Sequence, residues 1–425
     1  MTAPLPSAPS APLDRLFLGR QPILDASQAL IGYELLFRDS AENHAPAAGP
    51  GVATADVVCK AFAELGLAGA LGGHKAFIIA DAEFLQAEVV ELLPPDSVVF
   101  EIDAALADHL AVLSRAELLS RNGYALCVNN LVELTEAVLP LLKLAMFVKL
   151  NLKVLTDEAL RPLLALPAEF RPSPIASHVE TKADHERARA LGFQFFQGYY
   201  FAEPTLVEGK KLDPATQGLI RIINLLNHDA ELSEIEQAFK SEAALTLKLL
   251  RLTNSAGVGL RVRIASVRQA VNIIGRRHIQ RWLQLLLFSR NGDTGDIECN
   301  PLMQLSALKG AFMERLTQRC YPNQTSLPEI AFLAGLMSLM PSAFGMPMET
   351  VLEEISVVPE LRFALLAREG DLGQLLELTD RYDNDDMLGA DAILQQLGYR
   401  ITRETLNQCL VDSIAWVQSL TVEAG

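Results

Sequence analysis

Two kinds of hydrophobic periodicity divide this chain near residue 210. From residue 14 to about 204, short apolar runs alternate with segments of helical spacing. The runs fall at 16–18, 33–37, 76–79, 97–102, 125–128, 146–150, 174–176 and 193–196. Between several of them lie helix-like stretches at 55–65, 112–122 and 182–191, the last two stopped by Gly123 and Gly192. Strand–helix–strand alternation at this spacing predicts parallel strands joined by crossover helices. Some eight such strands fit a TIM-like (β/α) barrel, regular or irregular. A doubly wound open sheet would give a similar pattern.

From about residue 213 only helical periodicity remains. Asp213-Pro214 reads as an N-cap followed by proline at the first helical position. Leu219, Ile220, Ile223 and Leu226 then share one face. Ser233 and Glu236 have capping-box spacing ahead of Phe239, Ser241 reads as the opening of another helix, and Ser266 as the opening of a further one through Val267, Ala270, Val271 and Ile274. An apolar helix is predicted over 278–288, and helix-like segments with Pro and Gly breaks run to about residue 421. The expected organisation is therefore an N-terminal tail at 1–13, rich in Ala, Pro and Ser and disordered, a barrel domain at 14–204, and a multi-helix all-α domain at 205–425.

Bulk properties narrow the function classes. A chain of 425 residues, half of them hydrophobic, supports two or three domains with their own cores. A formal charge of −16 disfavours non-specific binding to nucleic acid or an anionic membrane. The five cysteines, Cys59, Cys127, Cys299, Cys320 and Cys409, are scattered, odd in number and without CxxC spacing. They predict free thiols in a reducing cytosol. The N-terminus lacks the basic and apolar regions of a signal peptide. The longest membrane-span candidate, 279–288, is too short and contains Arg281 and Gln284. A cytoplasmic protein is the expectation.

The chemistry-bearing strings come next. In the first half they are Gln21-Pro22-Ile23-Leu24-Asp25, Gly32-Tyr33-Glu34-Leu35-Leu36-Phe37-Arg38, Val148-Lys149-Leu150-Asn151, Ala176-Ser177-His178-Val179-Glu180-Thr181 and Gln197-Gly198-Tyr199-Tyr200-Phe201. In order and spacing, over most of 16–204, they resemble the EAL domains that hydrolyse the bacterial second messenger cyclic di-GMP. That resemblance implies a barrel whose strand ends hold two divalent ions that activate water against a phosphodiester. It also implies that Glu34, Glu101, Lys149, Glu180 and Gln197 occupy retained site positions. Ile79 stands where the family has a ligand Asn, Asn129 and Asn130 stand for a pair of aspartates, and Ser177 stands for a ligand Glu. A divalent metal prefers charged oxygens, neutral amides weaken the site, and isoleucine cannot coordinate at all. The resemblance therefore implies a degenerate phosphodiesterase with no bound metal or other cofactor. Arg38 is a possible contact for a nucleotide phosphate, or a salt-bridge partner. On the residues alone, Glu34, Glu101 and Lys149 could equally be buried ion-pair partners that hold strand ends.

In the second half, residues 245–256 (LTLKLLRLTNSA) and 264–275 (IASVRQAVNIIG) resemble the core of HDOD domains, over about 210–400. These are helical relatives of the HD phosphohydrolases that lack the metal ligands, and they are viewed as signalling and protein-interaction modules. His228-Asp229 spells an HD dipeptide. Its neighbours offer no further ligands, so it reads as a turn at a helix end. Residues 240–290 are basic against an acidic background, with Lys240, Lys248, Arg251, Arg261, Arg263, Arg268, Arg276, Arg277, Arg281 and Arg290. They read as solvated faces and as partners for acids of the first domain, ahead of a docking surface for an acidic protein or a phosphate. Asp383-Asn384-Asp385-Asp386 lacks the offsets of a calcium loop and reads as a solvated turn.

Taken together, these features lead to the expectation of a non-catalytic bacterial signalling protein acting as a scaffold or adaptor for other signalling proteins. The alternatives are a cyclic di-GMP receptor that binds without cutting and, behind it, an active phosphodiesterase.

Overall fold

The computed structural model describes residues 16–39, 55–64, 66–71, 73–166, 170, 172–203, 212–253, 264, 266–288, 300–384, 386–398 and 400–422. The tail at 1–13 and the basic residues Arg261, Arg263 and Arg290 lie outside them, as do the side chains of Arg38 and Arg251.

In the first half the strands are β1 (Leu16–Asp25), β2 (Leu30–Asp39), β3 (Lys75–Ile79), β4 (Val98–Asp103), β5 (Ala125–Asn129), β6 (Phe147–Asn151), β7 (Ser173–Ser177) and β8 (Phe195–Gln197). They close into a barrel in sequence order, which excludes the open sheet. Pairings from β2 to β8 are parallel, but β1 runs antiparallel to both β2 and β8. This departs from the expected uniform alternation, and the turn between β1 and β2 explains it. The Asp25 carboxylate accepts from the Ser27 amide at 2.8 Å and the Ala29 amide at 2.9 Å, and Gln28 takes a left-handed φ of 70°. A turn this tight leaves no room for a crossover helix, so the strands must be antiparallel.

Both strands of this hairpin are longer than their apolar runs. β1 pairs with β2 from Leu16↔Asp39 to Leu24↔Leu30, yet meets β8 only at Ile23–Asp25. β2 meets β3 only at Gly32–Leu35. The far part of the hairpin therefore continues past the carboxyl ends of the parallel strands as a two-stranded ribbon, by about 13 Å for its last four residue pairs.

Inside the barrel, Ile23, Phe77, Val99, Cys127, Phe147 and Ile175 form one buried cluster. The rings of Phe77 and Phe147 are 5.4 Å apart, and those of Phe147 and Phe195 are 5.8 Å apart. Burial of each large side chain stabilises the fold by about 1.5–3 kcal/mol. Helix Lys182–Leu191 forms where it was predicted. Thr181 and Asp184 make a capping box at its start, and Gly192 closes it at φ 95°.

The described chain separates into two compact units: residues up to Tyr200 together with Asp380–Ala415, and Phe201–Thr379 together with the residues from Trp416 onward. The expected helical domain at 205–425 is thus divided. Its segment Asp380–Ala415 groups with the barrel, because a helix's apolar face specifies burial but not the surface that buries it.

Within the helical unit, Asp213 caps Pro214–Asn227 by accepting from the Thr216 amide at 3.0 Å, and Ser266 caps Val267–Ile274. Two predicted starts are corrected. Glu231 and Glu234, not Ser233 and Glu236, form the capping box of Leu232–Ser241. Ser241 closes that helix, and the next, Ala243–Thr253, begins after Glu242. Glu236 is drawn away by Arg268 at 2.9 Å and Lys240 at 3.4 Å. Helices Pro301–Cys320 and Leu327–Met337 approach closely at Gly335, where a Cβ would lie 2.4 Å from the Lys309 carbonyl oxygen. The segment that satisfies membrane-span length and composition is Leu327–Phe344, not 279–288. More than half of it is buried in the structure, with Phe332, Leu336 and Met337 in the core.

The basic stretch also finds its partners at home. Arg277 meets Glu329 at 2.6 Å and Arg281 meets Glu314 at 2.6 Å. Arg281 also lies over the Phe332 ring, and Arg276 donates to the Ala230 carbonyl. These acids belong to the helical unit, not to the barrel as expected.

Candidate functional site

Strand ends converge at the barrel's carboxyl face. Glu34 of β2, Glu101 of β4, Lys149 of β6 and Gln197 of β8 are all buried, with exposures of 7%, 0%, 3% and 3%. Charged groups this deep need partners, and they supply them to one another. Lys149 Nζ donates to Glu34 Oε2 at 2.8 Å and also to Glu101 Oε1. Gln197 Nε2 donates to Gln21 Oε1 at 2.6 Å and to Glu34 Oε2.

The substituted positions join the same network. Asn129 Nδ2 donates to Glu101 Oε2 at 3.0 Å. Asn130, held at φ 53°, donates from Nδ2 to Asp103 Oδ2 at 2.8 Å. Ile79 pairs in register with Glu101 and brings no polar atom. Ser177 is buried, and its Oγ donates to the Leu150 carbonyl at 3.3 Å. Two expected members stand apart. Glu180 is exposed on the loop after β7 and faces Lys153 at 3.7 Å. Arg38 is opposite Phe17 in the ribbon, with its side chain outside the described residues. Sequence reasoning passed over Gln21 and Asp103. Gln21 lies opposite Glu34 in the hairpin register, and Asp103 opposite Asn129. Gln21 opens one of the motif strings, but its place opposite Glu34 follows only from the hairpin register.

Two carboxylates compete for one ammonium, and this sets their protonation. Burial and the neighbouring Glu34 charge push Glu101 up to about 7, against the pull of Lys149. Burial also works against the Glu34 anion, but the charge and hydrogen bond of Lys149, with help from Gln197, hold its pKa below the ordinary value. Burial works against the Lys149 cation, and the two carboxylates overcome it and raise its pKa. Beneath them, burial and Glu101 raise the Cys127 thiol well above its usual range.

The two divalent ions implied by the barrel do not fit this donor set. The carboxylates that would serve them are each bound by the Lys149 ammonium, the free oxygen of Glu101 is taken by the Asn129 amide donor, and Ile79 offers no ligand. The Asn130 NH₂ is likewise turned to Asp103. Among the described residues no three His, Cys, Asp or Glu side chains form a metal-sized group.

The sequence comparisons agree with the geometry on class. Residues 78–204 match the EAL domain and residues 213–343 match the HDOD domain. The chain thus carries an EAL domain followed by an HDOD domain, a combination that supports a protein of cyclic di-GMP signalling. The EAL match begins within β3, so the hairpin that carries Glu34 precedes it. Among curated relatives, the uncharacterized protein YuxH of Bacillus subtilis is 25% identical over 413 residues, covering 96% of this chain and 99% of its own. The cyclic di-GMP phosphodiesterase CdgJ of Vibrio cholerae is 27% identical over 412 residues, covering 95% and 93%. Among solved structures, the FimX EAL domain of Pseudomonas aeruginosa bound to c-di-GMP is 20% identical, covering 44% of this chain and 90% of that one, with a TM-score of 0.34. The EAL domain of Mycobacterium smegmatis DcpA is 18% identical, covering 43% and 90%, also with a TM-score of 0.34.

Proposed function

We propose that this chain is a non-catalytic adaptor in cyclic di-GMP signalling, working in the cytoplasm through contacts of its EAL and HDOD domains with other signalling proteins. One observation carries the reading: beside the retained Glu34 and Glu101, Ile79 brings no polar atom, and Asn129, Asn130 and Ser177 bring only neutral groups, which donate to Glu101, Asp103 and the Leu150 carbonyl. Two-metal hydrolysis needs charged oxygens at such positions.

CdgJ favours a second reading, since it is named a phosphodiesterase and aligns with nearly the whole chain. One assay separates the two. Full-length protein at high concentration is incubated with cyclic di-GMP and magnesium or manganese, and products are resolved by chromatography. The adaptor reading expects no linear dinucleotide. Metal-dependent product that disappears in Glu34→Ala would overturn it. If no product forms, calorimetric titration of cyclic di-GMP distinguishes an adaptor, with a flat trace at micromolar concentrations, from a receptor, with a saturating isotherm.

A further inference from the structure

Neither domain match reaches past residue 343, yet part of the remaining chain packs with the barrel. The reason lies in β1. Its inner edge is paired with β2 along its whole length, but its outer edge meets β8 only at Ile23–Asp25. The Pro22 carbonyl still accepts from the Gly198 amide at 3.3 Å, but residues 16–21 lie beyond β8 and would leave outward backbone groups unpaired, which are costly when buried and adhesive when exposed.

Residues 380–415 close that edge. The Leu18 amide donates to the Tyr382 hydroxyl at 2.9 Å and to Asn407 Oδ1 at 3.0 Å, and the Tyr382 hydroxyl donates to Asn407 Oδ1 at 2.7 Å. All three residues are buried, at 1% for Leu18 and 2% for each of the others. Tyr382 ends helix Gly370–Asp383, and Asn407 lies in helix Arg403–Val422. Two segments about 25 residues apart thus meet on one strand amide. Next along β1, buried Arg20 stacks its guanidinium over Tyr33 at 5.1 Å, and its carbonyl accepts from Tyr199 at 2.9 Å. The charge of Asp383, beside Tyr382, also acts on Arg20. One residue further, Gln21 accepts from Gln197, which also holds Glu34.

We infer that residues 380–415 are a strap belonging to the barrel, with Tyr382 and Asn407 as positioning residues that pin the β1–β2 ribbon beside the barrel mouth. The strap fixes the strand that carries Gln21, and through it the hairpin that carries Glu34. It does so whether or not the site is catalytic, so its test is independent of the assay above.

The test is amide hydrogen exchange of the full-length chain, followed by mass spectrometry. Tyr382→Phe and Asn407→Leu together remove both acceptors of the Leu18 amide. Peptides spanning 16–24 are expected to exchange roughly tenfold faster, as befits loss of buried hydrogen bonds, while β4 and β5 stay as protected as before. Ser413→Ala is the control. It removes a buried bond to the Cys409 carbonyl within the Arg403–Val422 helix, and among the described residues Ser413 makes no hydrogen bond to β1. It should leave 16–24 unchanged. Should the double variant not accumulate as folded protein, Tyr382→Phe alone keeps the ring and leaves Asn407 as an acceptor of the Leu18 amide, so a smaller acceleration confined to 16–24 is expected. Wild-type exchange rates at 16–24 without the acceptors, or equal acceleration in Ser413→Ala, would overturn the proposal.

Discussion

Lys149 and Glu34 are 115 residues apart in sequence, yet they bond at 2.8 Å in the barrel mouth. With Glu101 as the third member, one ammonium serves two buried carboxylates.

Lys149→Met removes the one cation that, among the described residues, is bonded to these two buried acids. A buried charge left without its partner costs about 3–5 kcal/mol, so the variant should unfold at much lower urea concentration than wild type. A midpoint within error of wild type would mean that the cluster contributes no stability.

Stability should also depend on pH through Glu101. A carboxyl raised from 4.5 to about 7 holds a proton in the folded state that it lacks when unfolded. Its contribution is full below the unfolded value and is lost as pH rises through about 7. Glu34, with its pKa lowered, acts in the opposite sense, and its contribution fades as pH falls through its folded value. Between pH 5 and 7, wild type should therefore lose stability relative to Glu101→Gln, which carries no titrating proton. Urea unfolding at several pH values checks this, and parallel profiles for the two proteins would refute it.

How much of this was legible in the sequence follows from what patterns encode. β3 to β8 are apolar runs because parallel barrel strands are buried on both faces, and each run was visible. β1 and β2 were visible only in part: Arg20 and Gln21 interrupt the apolar character of β1 after Leu18, and the run 33–37 covers only the middle of β2, Leu30–Asp39. Glu34, Glu101, Lys149 and Gln197 do converge, whereas Glu180 faces solvent and Lys153, a placement that depends on loop conformation. The strap was invisible for a different reason: the pattern of helix Arg403–Val422 tells which residues are buried, not that Asn407 answers an amide 389 positions earlier.

Restoring acids offers a test of the missing metal site. Asn129→Asp with Asn130→Asp places new carboxylates against Glu101 and Asp103, where the amides now donate. Like charges should lower the melting temperature. Manganese should then raise it in the variant by binding the folded form, and leave wild type unmoved. A manganese-dependent rise in wild type would show that the native donor set already holds a metal.

Gly198 carries the backbone immediately after Gln197. It sits at φ 140°, and a Cβ there would lie 2.1 Å from the Val179 carbonyl oxygen. Gly198→Ala should destabilise the chain by about 3 kcal/mol or more, because backbone on both sides must move. Thermal unfolding measures it, and a shift of only a degree or two would count against the close approach.

The discontinuous barrel unit also has a consequence for how the chain is made. Synthesis delivers β1 before Asn407, with the whole HDOD match in between. During that interval the nascent ribbon carries an open edge of the kind that recruits other strands. The helical segment encoded in between is therefore made before the ribbon of the earlier-coded barrel can gain its cover, and the chain's vulnerable moment falls within its own synthesis.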